Sequence, residues 1–175
     1  MNGKRTRVLS ELIRDLQSDD REIAEEASQI LEARGDATVV DHLVELLRSP
    51  HGQIRNRTAL VLRKIEDNRA IEPLMTAIQL PANKNNNGTL IYALQTLDCQ
   101  HLFSFLFDLV IDGDFEVECM SLAILQEQDF EVTPAMLCEA KHKLDEYSLR
   151  DHARPECAEL AKVLQVVLVN LSNEN

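Results

Sequence analysis

Residues 65–74 read IEDNRAIEPL: an acidic turn, Glu66-Asp67-Asn68-Arg69, runs directly into an apolar stretch that carries Pro73. Taken alone this is a helix start, with a carboxylate placed to accept from the orphan amides of a first turn. Its neighbours make it a joint in a series. Aspartates stand 31 residues to either side of Asp67, at Asp36 and Asp98, and one further step reaches Asp129. Four residues beyond each aspartate come Val40, Ile71, Leu102 and Thr133; seven beyond, Leu43, Leu74, Phe105 and Met136; eleven beyond, Leu47, Ile78, Leu109 and Ala140. Ahead of the aspartates Leu31, Leu62, Ala93 and Ile124 hold a common phase. One step back from Asp36 lands on Arg5, which breaks the aspartate series, yet Leu9, Leu12 and Leu16 keep the apolar register.

Apolar residues recur at intervals of three and four almost everywhere, as in Val8, Leu9, Leu12, Ile13 and Leu16, and no segment sustains an alternation of period two. That is the spacing of helices with one buried stripe. Self-similarity at 31 residues is the length of one helical hairpin, which can bury its apolar face only against the next copy. The spacing therefore predicts an all-α chain, a right-handed α-α superhelix of about five helical hairpins at roughly 4–34, 36–66, 68–97, 99–128 and 133–171, forming a single domain over 1–175. Breakers agree: Ser49-Pro50 separates the helices of the second hairpin, and Thr133-Pro134 supplies an N-cap followed by proline at the first helical position. Asp36, Asp67, Asp98 and Asp129 are expected to cap helices, not to act as catalytic acids.

The stretch 54–78, IRNRTALVLRKIEDNRAIEPLMTAI, resembles the HEAT repeat, in particular the short HEAT-like variety of phycobilisome lyases. The resemblance is carried by Arg55 early in the second helix, then Ala59, Leu62, Asp67 and RAIEPL at 69–74. At the place of Arg55 the neighbouring repeats hold Ala24 and Asn86, so a regular arginine ladder is absent. The resemblance implies a HEAT-like solenoid, a fold shared by scaffolds, adaptors and accessory enzymes.

Composition narrows the function. Eighteen basic against thirty acidic residues give a formal charge of −12, which disfavours nucleic acid and anionic membranes as partners. Between Arg48 and Arg69, however, Arg48, Arg55, Arg57, Arg63, Lys64 and Arg69 face only Glu66 and Asp67, a local +4 that leaves −16 for the remainder. No run of apolar residues is long enough to span a bilayer, and the first sixteen residues carry Glu11, Arg14 and Asp15 where an export signal needs an uncharged core. Cys99, Cys119, Cys138 and Cys157 form no CxxC pair, so reduced thiols in a cytoplasmic setting are expected.

Function is expected on the face lined by the second helix of each hairpin. That row reads acidic (Glu22, Glu25, Glu26, Glu32), then basic (Arg55, Arg57, Arg63, Lys64), then polar (Asn86, Tyr92, Gln95), then acidic (Glu116, Glu118, Glu127). Such a pattern selects a protein partner by charge complementarity. The expected partner-binding residues are Arg55, Arg57, Arg63, Lys64 and Tyr92. A second, apolar contact patch is expected at Phe103, Phe107, Val166 and Val169, which exceed what one buried stripe requires and could serve a homodimer through the C-terminal hairpins. The loop LPANKNNNGTL (80–90) is the one plainly irregular stretch. Cys138, His142 and Asp145 share a helix face with metal-compatible spacing, with His152 and Cys157 after the turn, but no zinc signature, phosphate-cradling glycine loop or nucleophile motif accompanies them. No catalytic residue, metal or cofactor is expected. The expectation is a non-enzymatic HEAT-like scaffold, with a bilin-lyase-like accessory enzyme or chaperone as the alternative and nucleic-acid binding behind both.

Overall fold

The computed structural model describes residues 8–84, 86–150 and 155–173, with side chains at 150, 155–158 and 173 left aside; residues 4–7 of the first hairpin, Asn85, His152 and the Cys157 side chain thus lie outside the described residues. The chain forms two compact units, 1–98 and 99–175. Among the described residues every regular element is helical, as the 3.6-residue spacing predicts.

Unit 1 holds α1 (Leu9–Leu16), α2 (Arg21–Arg34), α3 (Ala37–Leu46), α4 (Gly52–Ile65), α5 (Ile71–Gln79) and α6 (Gly88–Leu94), with short 3-10 turns at Asn68–Ala70 and Pro81–Asn83. Each odd-numbered helix packs on the even-numbered one that follows it, and α2, α4 and α6 pack on one another in order. The core is the predicted register made solid: Leu12, Leu16, Leu31, Val40, Leu43, Leu47, Leu62, Leu74 and Ile78 are all buried. Unit 2 holds α7 (Phe103–Asp112), α8 (Phe115–Glu127), α9 (Pro134–Arg150) and α10 (Pro155–Asn173), again paired in sequence, with α9 also on α7.

The joints show why the aspartates recur. Asp36 Oδ1 accepts from the Val39 amide (3.0 Å) and Asp67 Oδ1 from the Arg69 amide (2.9 Å), as helix caps do. Two aspartates outside the 31-residue series cap as well: Asp20 opens α2 and Asp114 opens α8. At the other two series positions the joint is built differently. The Asp98 amide donates to Asn68 Oδ1, one repeat earlier, and α9 is capped by Thr133, whose Oγ1 accepts from the Met136 amide. The neighbouring Cys99 amide donates to Gln128 Oε1 within unit 2. Pro73 occupies the third position of α5, inside the first turn, where its missing N–H removes no intrahelical bond.

The third hairpin departs from the expected helix 86–97. Its second helix is only Gly88–Leu94, because the connection after α5 consumes residues that a 31-residue repeat would give to helix. Buried Asn83 and Asn87 hold that connection by donating from Nδ2 to Ala77 O and Ile78 O, carbonyls in the last turn of α5. The irregular loop is therefore anchored by two internal asparagines.

The residues before Asp36 and Asp67 turn left-handed: Gly35 at φ 49° and, one repeat later, Glu66 at φ 59°. Glycine accepts this conformation freely; glutamate does so at a cost of about 1 kcal/mol. Glu66→Gly is expected to raise the Tm of the chain, and a calorimetric scan in which Tm falls would show that Glu66 makes compensating contacts.

Candidate functional site

The basic island of the sequence is largely spent inside unit 1. Arg57, half-buried on α4, reaches back to α1 and donates from Nη1 to Leu16 O and, at 3.1 Å, to Ser18 O. Leu16 is the last residue of α1, so the guanidinium satisfies an orphan carbonyl at the negative end of that helix. Arg63 reaches forward to α6: its Nε donates to Tyr92 O (3.2 Å), its Nη2 to Gln95 Oε1 (3.4 Å), and its guanidinium carbon sits 4.1 Å from the centre of the Tyr92 ring. Thr96 Oγ1 returns a bond to Arg63 O (2.8 Å), so α4 and the end of α6 are stitched from both sides. Arg69 pairs with Asp67 and with Asp41 on α3, and Arg48, just past the end of α3, pairs with Glu45 in its last turn.

Arg55 corrects the expectation of an exposed arginine row. It is only 6% exposed, and its Nη1 donates to Ser49 O in the loop between α3 and α4. A guanidinium folded onto its own hairpin loop cannot meet a partner. Of the five expected partner-binding residues, Lys64 and Tyr92 are exposed, Arg57 and Arg63 are half-buried braces between repeats, and Arg55 is interior.

A second correction concerns the apolar patch. Phe103 and Phe107 are buried on α7, their ring centres 5.8 Å apart, and Phe103 meets Phe130 edge-on at 6.1 Å. They are core because α7 lies between α8 and α9 within unit 2 and so needs apolar residues on two sides. Val166 and Val169 do stand out, at 59% and 51% exposed on α10.

A concavity of about 570 Å³ in unit 1 lies between α2 and α4, on the second-helix face where function was expected, and of the five expected partner-binding residues it is lined by Arg57. Its walls are Glu25, Gln29 and Glu32 from α2, and Asn56, Leu60 and Val61 from α4, with Arg21 and Arg57 toward one end. The 31-residue register explains why it is open. Between α4 and α6 the space is filled by Arg63, which donates to a carbonyl 29 residues ahead. One repeat earlier the same place holds Glu32, and 29 residues ahead of it lies Val61. A carboxylate has nothing to donate to a carbonyl, so α2 and α4 are not stitched on this side. Leu60, 43% exposed, sits in the space left behind. Burial pushes the Glu32 carboxyl above its ordinary pKa, with the charge of Lys64 only partly opposing it. Asn56 Oδ1, enclosed in the wall, has no hydrogen-bond partner.

Elsewhere the charge chemistry is structural. The Arg34 side chain, then the Val39 amide, hold the Asp36 carboxyl below its ordinary pKa, and Arg69 does the same for Asp67 through its side chain and its amide. Among the described residues no group of three or more His, Cys, Asp or Glu side chains could hold a metal ion, and His142 instead approaches Glu146 at 3.7 Å on α9. No helix among the described residues is long and apolar enough to cross a membrane.

With this geometry in hand, comparison with known proteins is informative for the half of the chain that carries the groove. A family model described as HEAT repeats matches residues 7–95, α1 through α6 included, and the chain belongs to the HEAT-repeat family. No curated protein matches the chain significantly.

Three substitutions test the braces. Arg57→Ala should destabilise by about 1–3 kcal/mol, because it strands two carbonyls that only a charged donor reaches, whereas Lys64→Ala should stay within about 0.5 kcal/mol. Equal effects in denaturant titrations would refute the assignment. Glu32→Arg should place a donor on Val61 O, closing the groove and raising Tm, about 1 kcal/mol in stability. The depressed Asp36 and Asp67 carboxyls contribute stability above their unfolded pKa of about 3.9 that is lost as pH falls through the folded value. Asp36→Asn with Asp67→Asn should therefore flatten the acid limb of a stability–pH curve below about pH 4 and leave its neutral slope unchanged.

Proposed function

We propose that the protein is a non-enzymatic HEAT-repeat scaffold that binds a protein partner in the groove between α2 and α4. One observation carries this: the repeat-to-repeat brace present between α4 and α6 is missing between α2 and α4, leaving Leu60 exposed in a concavity of about 570 Å³. An apolar side chain in a concave, polar-walled space of that volume suits the insertion of partner side chains. Of the charge-patterned face expected from sequence, exposed Lys64 lies close enough to act on Glu32, and such a charge sets encounter rate more than affinity. A cytoplasmic setting accords with Cys99, Cys119 and Cys138 being free thiols.

Two further readings have narrower support. Exposed Val166 and Val169 on α10 favour self-association of unit 2; Val166→Asp with Val169→Asp should then lower the sedimentation coefficient of the native protein. The bilin-lyase reading rests on the RAIEPL-type motif alone, and visible absorbance after co-expression with a bilin supply decides it.

The principal test uses a photoactivatable residue at position 60. Crosslinking in native lysate should trap a defined protein stoichiometrically, and Leu60→Asp should abolish its recovery while leaving helix content and Tm unchanged. Recovery undiminished by Leu60→Asp would move the site off this groove.

A further inference from the structure

The α2–α4 groove is lined by two guanidiniums, Arg21 and Arg57, and two carboxylates, Glu25 and Glu32, and the guanidiniums are engaged elsewhere or at its edge. Arg57, the one donor cation from α4, is committed to Leu16 O and Ser18 O, and Arg21 lies at the edge, 3.8 Å from Glu25. The charged groups left facing the space are then the carboxylates of Glu25 and Glu32, beside the neutral amides of Gln29 and Gln53. The desolvation of Glu32 is only partly offset by Lys64, so this carboxylate gains from a further cation. An anionic segment would be repelled by these two carboxylates, whereas a cationic one pairs with them through charge-assisted hydrogen bonds.

Spacing sharpens the chemistry. Glu25 and Glu32 are seven residues apart on α2, two helical turns or about 10.5 Å. The 31-residue register sets Asn56 opposite Glu25 and Leu60 opposite Gln29, about one turn further along. Acceptors at the two ends with an apolar floor between them match one face of a helix, on which residues i, i+3 and i+7 align at the same spacing. An extended segment instead presents alternate residues about 7 Å apart, which does not reproduce the 10.5 Å interval.

We propose that the groove receives an amphipathic helix of the partner carrying cationic side chains at i and i+7 and a leucine-like side chain at i+3. This rests on the scaffold reading above and specifies the chemistry of what enters. The i cation meets Glu25, the apolar side chain covers Leu60, and the i+7 cation meets Glu32. The formal charge of −12 assists the encounter at long range without choosing the groove.

The test is fluorescence anisotropy of the full chain with a labelled, alanine-rich helical peptide containing Lys-x-x-Leu-x-x-x-Lys. That peptide should bind at least tenfold tighter than the same peptide with both lysines replaced by glutamate. Glu25→Lys should remove most of this preference, while Glu26→Lys, which changes net charge equally but lies outside the groove walls, should leave most of it. No preference between the peptides, or equal effects of the two variants with circular dichroism unchanged, would overturn the proposal. Crosslinking at position 60 distinguishes the cationic helix from the scaffold role on which it rests. A native partner trapped through a segment without this pattern keeps the scaffold and discards the cationic helix. No trapped partner together with no peptide preference discards both.

Discussion

A helical hairpin of about thirty residues has one apolar stripe on each helix and no way to cover both by itself. Everything in unit 1 follows from that constraint. The stripes of α2, α4 and α6 must lie side by side, so residues 31 apart meet the same kind of neighbour. Leu31 and Leu62 are buried because the register gives each of them a repeat to pack against. The same repetition turns each helix end into a neighbour's problem: carbonyls left over at the end of α1 or α6 are reached most easily by a long side chain from the adjacent second helix. Arg57 and Arg63 meet that need in opposite directions, one backward and one forward.

This changes what a cluster of positive charge means in a repeat protein. Six basic residues in 22 positions look like a binding surface when only the sequence is read. An arginine, however, has a planar fork of donors on a long stem, and a helix terminus within its reach is a built-in acceptor. Where such termini recur every repeat, arginines on second helices are drawn inward. Arg55 goes furthest, onto Ser49 O in its own loop, with no carboxylate bonded to it. Lys64, with a point charge and no fork, remains outside.

The fold was legible because its signal is redundant. Four apolar positions held in phase over several copies survive the loss of any one, as when Arg5 replaces the aspartate at the N-terminal step or Thr133 takes over the cap of α9. Helix α8 over Phe115–Glu127 and α4 over Gly52–Ile65 follow from the same spacing. The site was far less legible, since it depends on the direction a side chain takes and not on its type. Nothing in the spacing of Phe103 and Phe107 says that α7 is packed on two sides; that depends on where α9 returns. One signal for the groove was present all the same. Aligning the repeats puts Glu32 over Arg63, and a change of sign at a bracing position marks an interface that cannot be closed in the same way.

That change of sign links stability to function. A brace between α2 and α4 would add a second bond to the Val61 carbonyl and cover Leu60, yet the chain holds a carboxylate there, partly desolvated and with its pKa raised. On structural grounds alone this is the poorer choice. It keeps Val61 O without a guanidinium, leaves an apolar side chain in contact with water, and places a charge where solvation is reduced. A repeat array can tolerate one such interface because its stability is close to a sum over neighbouring contacts, and the braced α4–α6 side and the Arg57 tie to α1 carry the load on either flank. An incoming cationic helix would supply what Arg63 supplies one repeat later: donors for the acceptors, cover for the apolar floor, and a counter-charge. The groove is a repeat interface left unbraced by one residue, and the proposed cationic helix would bring the completing donor.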